Sequence, residues 1–272
     1  MSATRHKKNI RMSATYRAKQ YLHYLLTAGY WRGHRIHSPF AFELVNTVIN
    51  SPHHFYHFAD VEHYRRRLLA DRTVVAQTDF GAAGGALRRR TVAELTSTAA
   101  VSRRYGRLLT RLVARFRPRT MVELGTSLGI GTLYMALAAT EARVLTLEGC
   151  PVCAGMARKA FADFGLTNVE VLTGPFDSTL PAALASLPAV DFAFVDGDHT
   201  LDATMRHFEA LAARATDGSV FVFDDIHHSP QMTEAWRRIC ADPRTVVTVD
   251  LFRMGLVFFR SGCQKQHYVV RW

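Results

Sequence analysis

The sequence predicts an α/β fold, a doubly wound and mainly parallel sheet preceded by a helical N-terminal extension. Three observations predict it. Beyond Arg117-Pro118-Arg119, short apolar runs alternate with amphipathic stretches, as expected of buried strands joined by crossover helices. Polar or glycine-bearing turns follow those runs one after another. Before residue 118 the spacing is helical and irregular.

In the first part, residues 16–28 read as a helix. Residues 39–49 read as another, with Ser38 as its cap and Pro39 in its first turn. Residues 59–70 form a third. Phe80-Gly81-Ala82-Ala83-Gly84-Gly85 is a flexible loop by composition. Residues 102–116 are amphipathic, with Leu108, Leu109, Leu112, Val113 and Phe116 on one stripe and Ser102 placed to cap. In the second part, strands are expected at 120–124, 143–147, 168–172, 190–195 and 219–223. Helices are expected at 130–139, 152–164, 179–187, 201–213 and 232–239. Two last strands, 245–250 and 256–260, are joined through Met254-Gly255. A connection that short suits an antiparallel pair. The division follows: a basic helical extension or lid over 1–99, and the sheet domain over 100–272.

Nearly half of the 272 residues are apolar or aromatic, enough for a substantial core. No run of about 18 apolar residues occurs, so no membrane span is expected. Four scattered cysteines do not make a disulfide framework, and a reducing cytoplasm is the expected compartment. The net charge of +11 is uneven: residues 1–120 hold 22 of the 34 Lys/Arg and 6 of the 23 Asp/Glu. Such a surface is a solvated arginine-rich face or a partner for nucleic acid, anionic lipid or an acidic substrate.

The chemistry concentrates in the turns after the strands. The first is Val122-Glu123-Leu124-Gly125-Thr126-Ser127-Leu128-Gly129. A dinucleotide fingerprint needs glycine at 125, 127 and 130, but 127 is Ser and 130 is Ile; no Gly-Lys-Ser/Thr follows to make a P-loop. What remains is a wider turn with an acid before it, suited to a cationic ligand. Glu148 ends the second strand, 23 residues after Gly125, where a carboxylate reaches both hydroxyls of a ribose. Gly174-Pro175-Phe176-Asp177 follows the third strand and Asp196-Gly197-Asp198-His199 the fourth. All four should lie along one edge of the sheet.

This order resembles the class I S-adenosylmethionine-dependent methyltransferases over about residues 100–262. Glu123-Leu124-Gly125-Thr126 matches the family's first motif and Glu148 its ribose-binding acid. The resemblance implies a Rossmann-like seven-stranded sheet of order 3-2-1-4-5-7-6 with strand 7 antiparallel. It implies S-adenosylmethionine as cofactor, with Glu123, Gly125, Thr126, Ser127, Gly129, Glu148, Phe176, Asp177 and Asp196 around it. The catechol and caffeoyl-coenzyme A O-methyltransferases are the nearer match. By it Asp196, Asp224 and Asp225 would hold Mg2+ or another divalent cation, and His199 would take the base position beside Asp196. Two departures stand out: Asp225 replaces an Asn and His199 a Lys. Either implies a different substrate or no metal. The loop Ile226-His227-His228-Ser229-Pro230-Gln231-Met232, with Arg253-Met254-Gly255, resembles a bacterial subgroup of undefined substrate. His227 and His228 would line the acceptor pocket or stand unstructured at the surface.

Cys150-Pro151-Val152-Cys153 has redox spacing without other redox features. His53-His54-Phe55-Tyr56-His57 lacks partner cysteines and reads as solvated or aromatic-packed. The segments 34–40 and 78–85 are candidate lid elements. The expected function is O-methylation of a small-molecule hydroxyl. A nucleic-acid (RNA) methyltransferase using the basic extension, or a non-catalytic cofactor-binding protein, are the alternatives, and a homodimer stays open.

Overall fold

The computed structural model describes residues 2–79 and 86–272, with side chains described over 15–78 and 87–272. The expected loop at 80–85 lies outside the described residues. Helix α1 (Ser2–Thr27) leads through a 3-10 turn, Trp31–Gly33, into α2 (Pro39–Glu43). Ser38 caps α2 by accepting the Ala41 N–H at 3.4 Å. The single helix expected at 39–49 changes winding after Glu43 and continues as a π-helical stretch, Leu44–Ile49. Helix α3 (His57–Ala70) follows as expected.

The extension is less helical than its spacing predicts. A hairpin of β1 (Val74–Asp79) and β2 (Ala86–Thr91) follows α3. Then comes α4 (Val92–Ala99), whose Thr91 and Glu94 close a capping box at 3.1 and 2.8 Å. β1 opens Val74-Val75-Ala76 and turns polar, and β2 bears Arg88-Arg89-Arg90, so no apolar alternation announces them. Helix α5 (Arg103–Phe116) starts after Ser102, but the Ser102 side chain makes no capping bond.

The main sheet contains β3 (Thr120–Leu124), β4 (Arg143–Glu148), β5 (Val169–Thr173), β6 (Val190–Val195), β7 (Ala215–Phe223), β8 (Val247–Asp250), β9 (Gly255–Phe258) and β10 (Gln266–Val269). Its order is β5-β4-β3-β6-β7-β9-β8-β10. The first seven strands therefore take the order 3-2-1-4-5-7-6, and the seventh, β9, runs antiparallel to both neighbours. Strand β10 adds an eighth member, parallel to β8. It escapes the sequence because it is short and half polar. Distant contacts fix it: Gly29 donates to Val269 O at 3.0 Å, and Tyr24 Oη donates to Val270 O at 2.5 Å.

Helices α6 (Ile130–Ala136), α7 (Pro151–Asp163), α8 (Phe176–Ala185), α9 (Leu201–Ala212) and α10 (Pro230–Ala241) make the crossovers. Helix α8 begins at Phe176, three residues before the expected start, so Phe176 and Asp177 sit in a helical first turn. Alternation along the strands loads both faces of the sheet. Met121, Phe192, Phe194, Val220 and Val222 face one core; Val122, Ala193, Val195, Phe221 and Phe223 face the other. The first core also takes Leu44, Val48, Phe58, Val92 and Leu95 from the extension. Each such apolar side chain contributes about 1.5–3 kcal/mol when fully buried.

Parallel register decides where the chemistry falls. Leu124 pairs with both Leu147 and Val195, and Val195 with Phe223. The residues that follow, at 125, 148, 196 and 224, therefore emerge along one sheet edge. Among the described residues, no helix is long and apolar enough to cross a membrane.

Helix α5 lies close to α6 because Gly106 has no side chain: a Cβ there would overlap the Tyr134 ring. Helix propensity alone would make Gly106→Ala stabilising by about 1 kcal/mol. Overpacking reverses the sign, and urea unfolding should show a loss of about 1–3 kcal/mol. A gain would refute this account of the α5–α6 contact.

Candidate functional site

The glycine turn after β3 is pinned on two sides. Gly125 and Thr126 donate to Leu147 O at 3.0 and 3.2 Å, and Asp196 N–H donates to Leu124 O at 2.8 Å. Gly125 has φ +102°, and a Cβ would overlap the Asp196 carbonyl oxygen. Only glycine lets the turns after β3 and β6 touch here. Ser127 adopts φ 49° and its N–H donates to Glu148 Oε2 at 2.7 Å. Gly129, at φ 83°, caps α6. Asp198 (φ 51°) and Asp225 (φ 54°) hold the same left-handed conformation at the ends of β6 and β7. Such residues cost about 1 kcal/mol each and cluster at functional sites.

These elements enclose a cleft lined by Glu123, residues 125–128, Ile130, Gly131 and Asp196, closed on one side by Ala99, Ala100 and Val101, where the extension joins α5. Tyr64 Oη from α3 donates to Leu128 O at 3.0 Å, fastening the extension to the turn. Glu123 is fully buried. Its Oε2 accepts from Thr132 Oγ1 at 2.5 Å and Thr146 Oγ1 at 2.6 Å, and its Oε1 has no protein partner. Burial pushes its pKa up to about 7, against those hydroxyl bonds. Glu148 also accepts the Cys150 N–H at 2.8 Å, and burial pushes its pKa up to about 7. Two buried acids poised to lose protons make the cleft receptive to positive charge.

Phe176 packs on the turn after β6, where a Cβ at Gly197 would lie 2.5 Å from its ring. Asp177 is exposed and pairs with Arg206 at 3.6 Å. The structure thus gathers Glu123, Gly125, Thr126, Ser127, Gly129, Glu148 and Asp196 at the cleft, with Phe176 beside Gly197. Asp177 is engaged with α9.

A second cluster adjoins the cleft. His199 Nε2 lies 3.6 Å from Asp196 Oδ1. Burial and the neighbouring Asp224 and Asp225 carboxylates raise the Asp196 pKa well above the usual range. Asp224 is wholly buried, and Arg253 grips it: Nε lies 3.1 Å from Oδ1 and Nη2 3.0 Å from Oδ2. Arg253 Nε is also 3.4 Å from Asp225 Oδ1. A divalent cation needs those oxygens free on one centre. Here a guanidinium holds them, and among the described residues no group of three or more His, Cys, Asp or Glu side chains is spaced to hold a metal ion. The donor set as arranged does not fit an ion at Asp196, Asp224 and Asp225.

His227 is not an unstructured surface residue: its Nε2 is 2.7 Å from Asp250 Oδ2, and its ring stacks on Phe252. His228 faces the cluster, its Nδ1 3.8 Å from Asp225 Oδ2 and its ring 6.3 Å from that of His199. The segment at 53–57 is aromatic-packed; His53 meets Phe55, and His57 Nε2 bonds Thr110 Oγ1 at 3.2 Å. Cys150 and Cys153 are both buried, and the hydrogen bond from Cys153 pulls the Cys150 pKa down to about 5. Sequence reasoning passed over Thr132, Thr146 and the part played by Arg253. The sequence marked Arg253 only through the resemblance of Arg253-Met254-Gly255, without a partner for its charge.

Fold and cleft together define a methyltransferase that uses S-adenosylmethionine, and a family model described as a methyltransferase domain matches residues 122–226. A catechol O-methyltransferase of Mycobacterium tuberculosis is 35% identical over 158 residues, spanning 57% of this chain and 69% of that protein. A catechol O-methyltransferase of Niastella koreensis is 28% identical over 174 residues, 62% of this chain and 73% of that one. The structure of an O-methyltransferase from Bacillus cereus in complex with SAH superposes with a TM-score of 0.56 at 20% identity, covering 76% of this chain and 92% of that chain. The chain belongs to the class I S-adenosylmethionine-dependent O-methyltransferases of the catechol and caffeoyl-coenzyme A type.

The Glu123 pKa sets a pH dependence. In the unfolded chain the group titrates near 4.5, in the ligand-free fold near 7. The fold therefore binds the extra proton between these values, and its stability falls as pH rises through that window. Relative to Glu123→Gln, the wild type should lose roughly 3 kcal/mol between pH 4.5 and 8. Urea unfolding of both proteins at the two pH values measures this; parallel curves would contradict it.

Proposed function

We propose that this enzyme methylates a hydroxyl of a small molecule without a divalent cation, with His199 and Asp196 at the reacting oxygen. The grip of Arg253 on Asp224 and Asp225 carries the reading. It places a fixed positive charge where an ion was expected from the resemblance, and it leaves His199 as the group free to handle the proton.

Bound S-adenosylmethionine supplies an electrophilic sulfonium methyl. The chain orients the acceptor hydroxyl at the mouth of the cleft, beside His199. With the methyl donor held in the cleft, the His199 imidazole would accept the hydroxyl proton while the oxygen takes the methyl group and the thioether leaves as S-adenosylhomocysteine. A cationic ligand in the cleft and a proton on His199, 3.6 Å away, would both favour the carboxylate form of Asp196. Glu123, beneath the cleft, balances the cationic ligand. The relatives named catechol O-methyltransferases suggest dihydroxyphenols as acceptors, here engaged through one hydroxyl.

With 3,4-dihydroxybenzoate as acceptor, turnover should be the same in EDTA as with added Mg2+. Calorimetry with Mg2+, Mn2+ or Ni2+ should give no saturable heat at these carboxylates. Loss of turnover in chelator, restored by metal, would sink the proposal. His199→Gln should lower kcat about 100-fold or more, with S-adenosylhomocysteine affinity little changed. An unaltered kcat would remove His199 from the proton transfer.

A further inference from the structure

A second cavity lies apart from the cofactor cleft. It lies between α1, the π-helical stretch, α5 and the C-terminus, has a volume of about 700 Å3, and shares no lining residue with the cleft. Its size is that of a small-molecule site.

Its charge has one sign. Arg103, Arg104, Arg107 and Arg111 project from α5 and Arg271 from the C-terminus into its lining. The spacing along α5 stacks three of them on one helical face, an arrangement that like charges disfavour. Glu62 pairs with Arg103 at 3.1 Å. Among the described residues, no carboxylate lies within ion-pair distance of the other four. Burial, Arg107 and Arg104 together push the Arg111 pKa down to about 10, which shows how poorly the charge is compensated.

The hydrogen-bond inventory points the same way. Arg107 Nε, Arg111 Nε and Asn50 Nδ2 are shielded from solvent and have no partner in the chain. All three are donors, and all three belong to residues lining this cavity. Buried donors left without acceptors cost about 1–3 kcal/mol each. An oxygen-rich anion seated on the outer guanidinium nitrogens meets the arginines' charge, and a small side-chain shift brings the shielded donors within its reach. Planar faces flank the charge. Trp31 and Tyr21 line the cavity while 57% and 47% exposed, and Trp272 already carries Arg104 4.1 Å over its ring.

We propose that this cavity binds a small organic phosphate, with its anionic groups on Arg107, Arg111 and Asn50 and its ring against the aromatic wall. A one-layer partition separates it from the methyl-transfer cluster: Trp272 packs on Tyr105 at 5.1 Å, and Arg253 lies 6.0 Å over the Tyr105 ring.

The test is calorimetry on the full chain loaded with S-adenosylhomocysteine, at physiological salt, with pyrophosphate, ADP and uncharged adenosine as probes. ADP and pyrophosphate should each saturate one site, ADP more tightly, with adenosine weaker than either by about tenfold or more. Arg107→Gln and Arg111→Gln should weaken ADP about tenfold or more. Arg104→Gln, at an exposed position and expected to fold, should weaken it measurably. Arg237→Gln, on the far exposed face of α10, should leave it unchanged. The affinity for S-adenosylhomocysteine should hold in every variant. Absence of saturable ADP binding, or equal weakening by Arg237→Gln, overturns the proposal. So does RNA binding that strengthens with oligonucleotide length and that ADP does not displace, because it would mark an open nucleic-acid surface.

Discussion

The whole site hangs on one backbone contact, the approach of Gly125 to the carbonyl of Asp196. Strands β3 and β6 are adjacent although three crossovers separate them in sequence. From this junction the chain leaves in opposite directions across the sheet, and that divergence opens a crevice at the carboxyl edge. The missing side chain at Gly125 allows the two turns to close on each other. The bond from Asp196 N–H to Leu124 O then locks them. Glu123 lies below this lock, Glu148 beside it and His199 one turn beyond, so the cleft inherits its dimensions from a steric exclusion.

Electrostatics complete what the backbone begins. The sheet edge presents Glu123, Glu148, Asp196 and Asp224, four acids that burial makes costly in their ionised form, with Asp225 beside them. Arg253 answers part of that charge through a two-pronged contact with Asp224. A buried carboxylate stripped of such a partner costs about 3–5 kcal/mol, so Arg253 also ties β9 and the turn before it to the end of β7. The remaining acids await a cationic ligand, which is the charge that S-adenosylmethionine carries.

The extension is part of the enzyme's core. Leu44, Val48, Phe58, Val92 and Leu95 pack with β3, β6 and β7, and Tyr64 and Ala99 reach the cofactor turn. The positive charge of residues 1–120, conspicuous in the composition, includes the four arginines that α5 contributes to the second cavity. The two halves of the protein thus offer opposite electrostatic surroundings, an acidic cleft and an arginine-lined cavity, on either side of Tyr105 and Trp272.

By itself the sequence determined the strand succession, the acid-and-glycine turn at 123–129 and the carboxylates at 148, 196 and 224–225. Those features are local: apolar runs, turn chemistry and spacing survive without knowledge of the fold. Tertiary structure alone decided the partners. Strand β10 exists because Gly29 and Tyr24 hold its end, the β1–β2 hairpin because two segments without apolar alternation pair with each other, and the winding change after Glu43 shows in no periodicity. The pairing of Asp224 with Arg253, and the gathering of five arginines around one cavity, join residues up to 168 positions apart, from Arg103 to Arg271. One-dimensional patterns record which face a residue turns to the core; they do not record which distant charge it meets there.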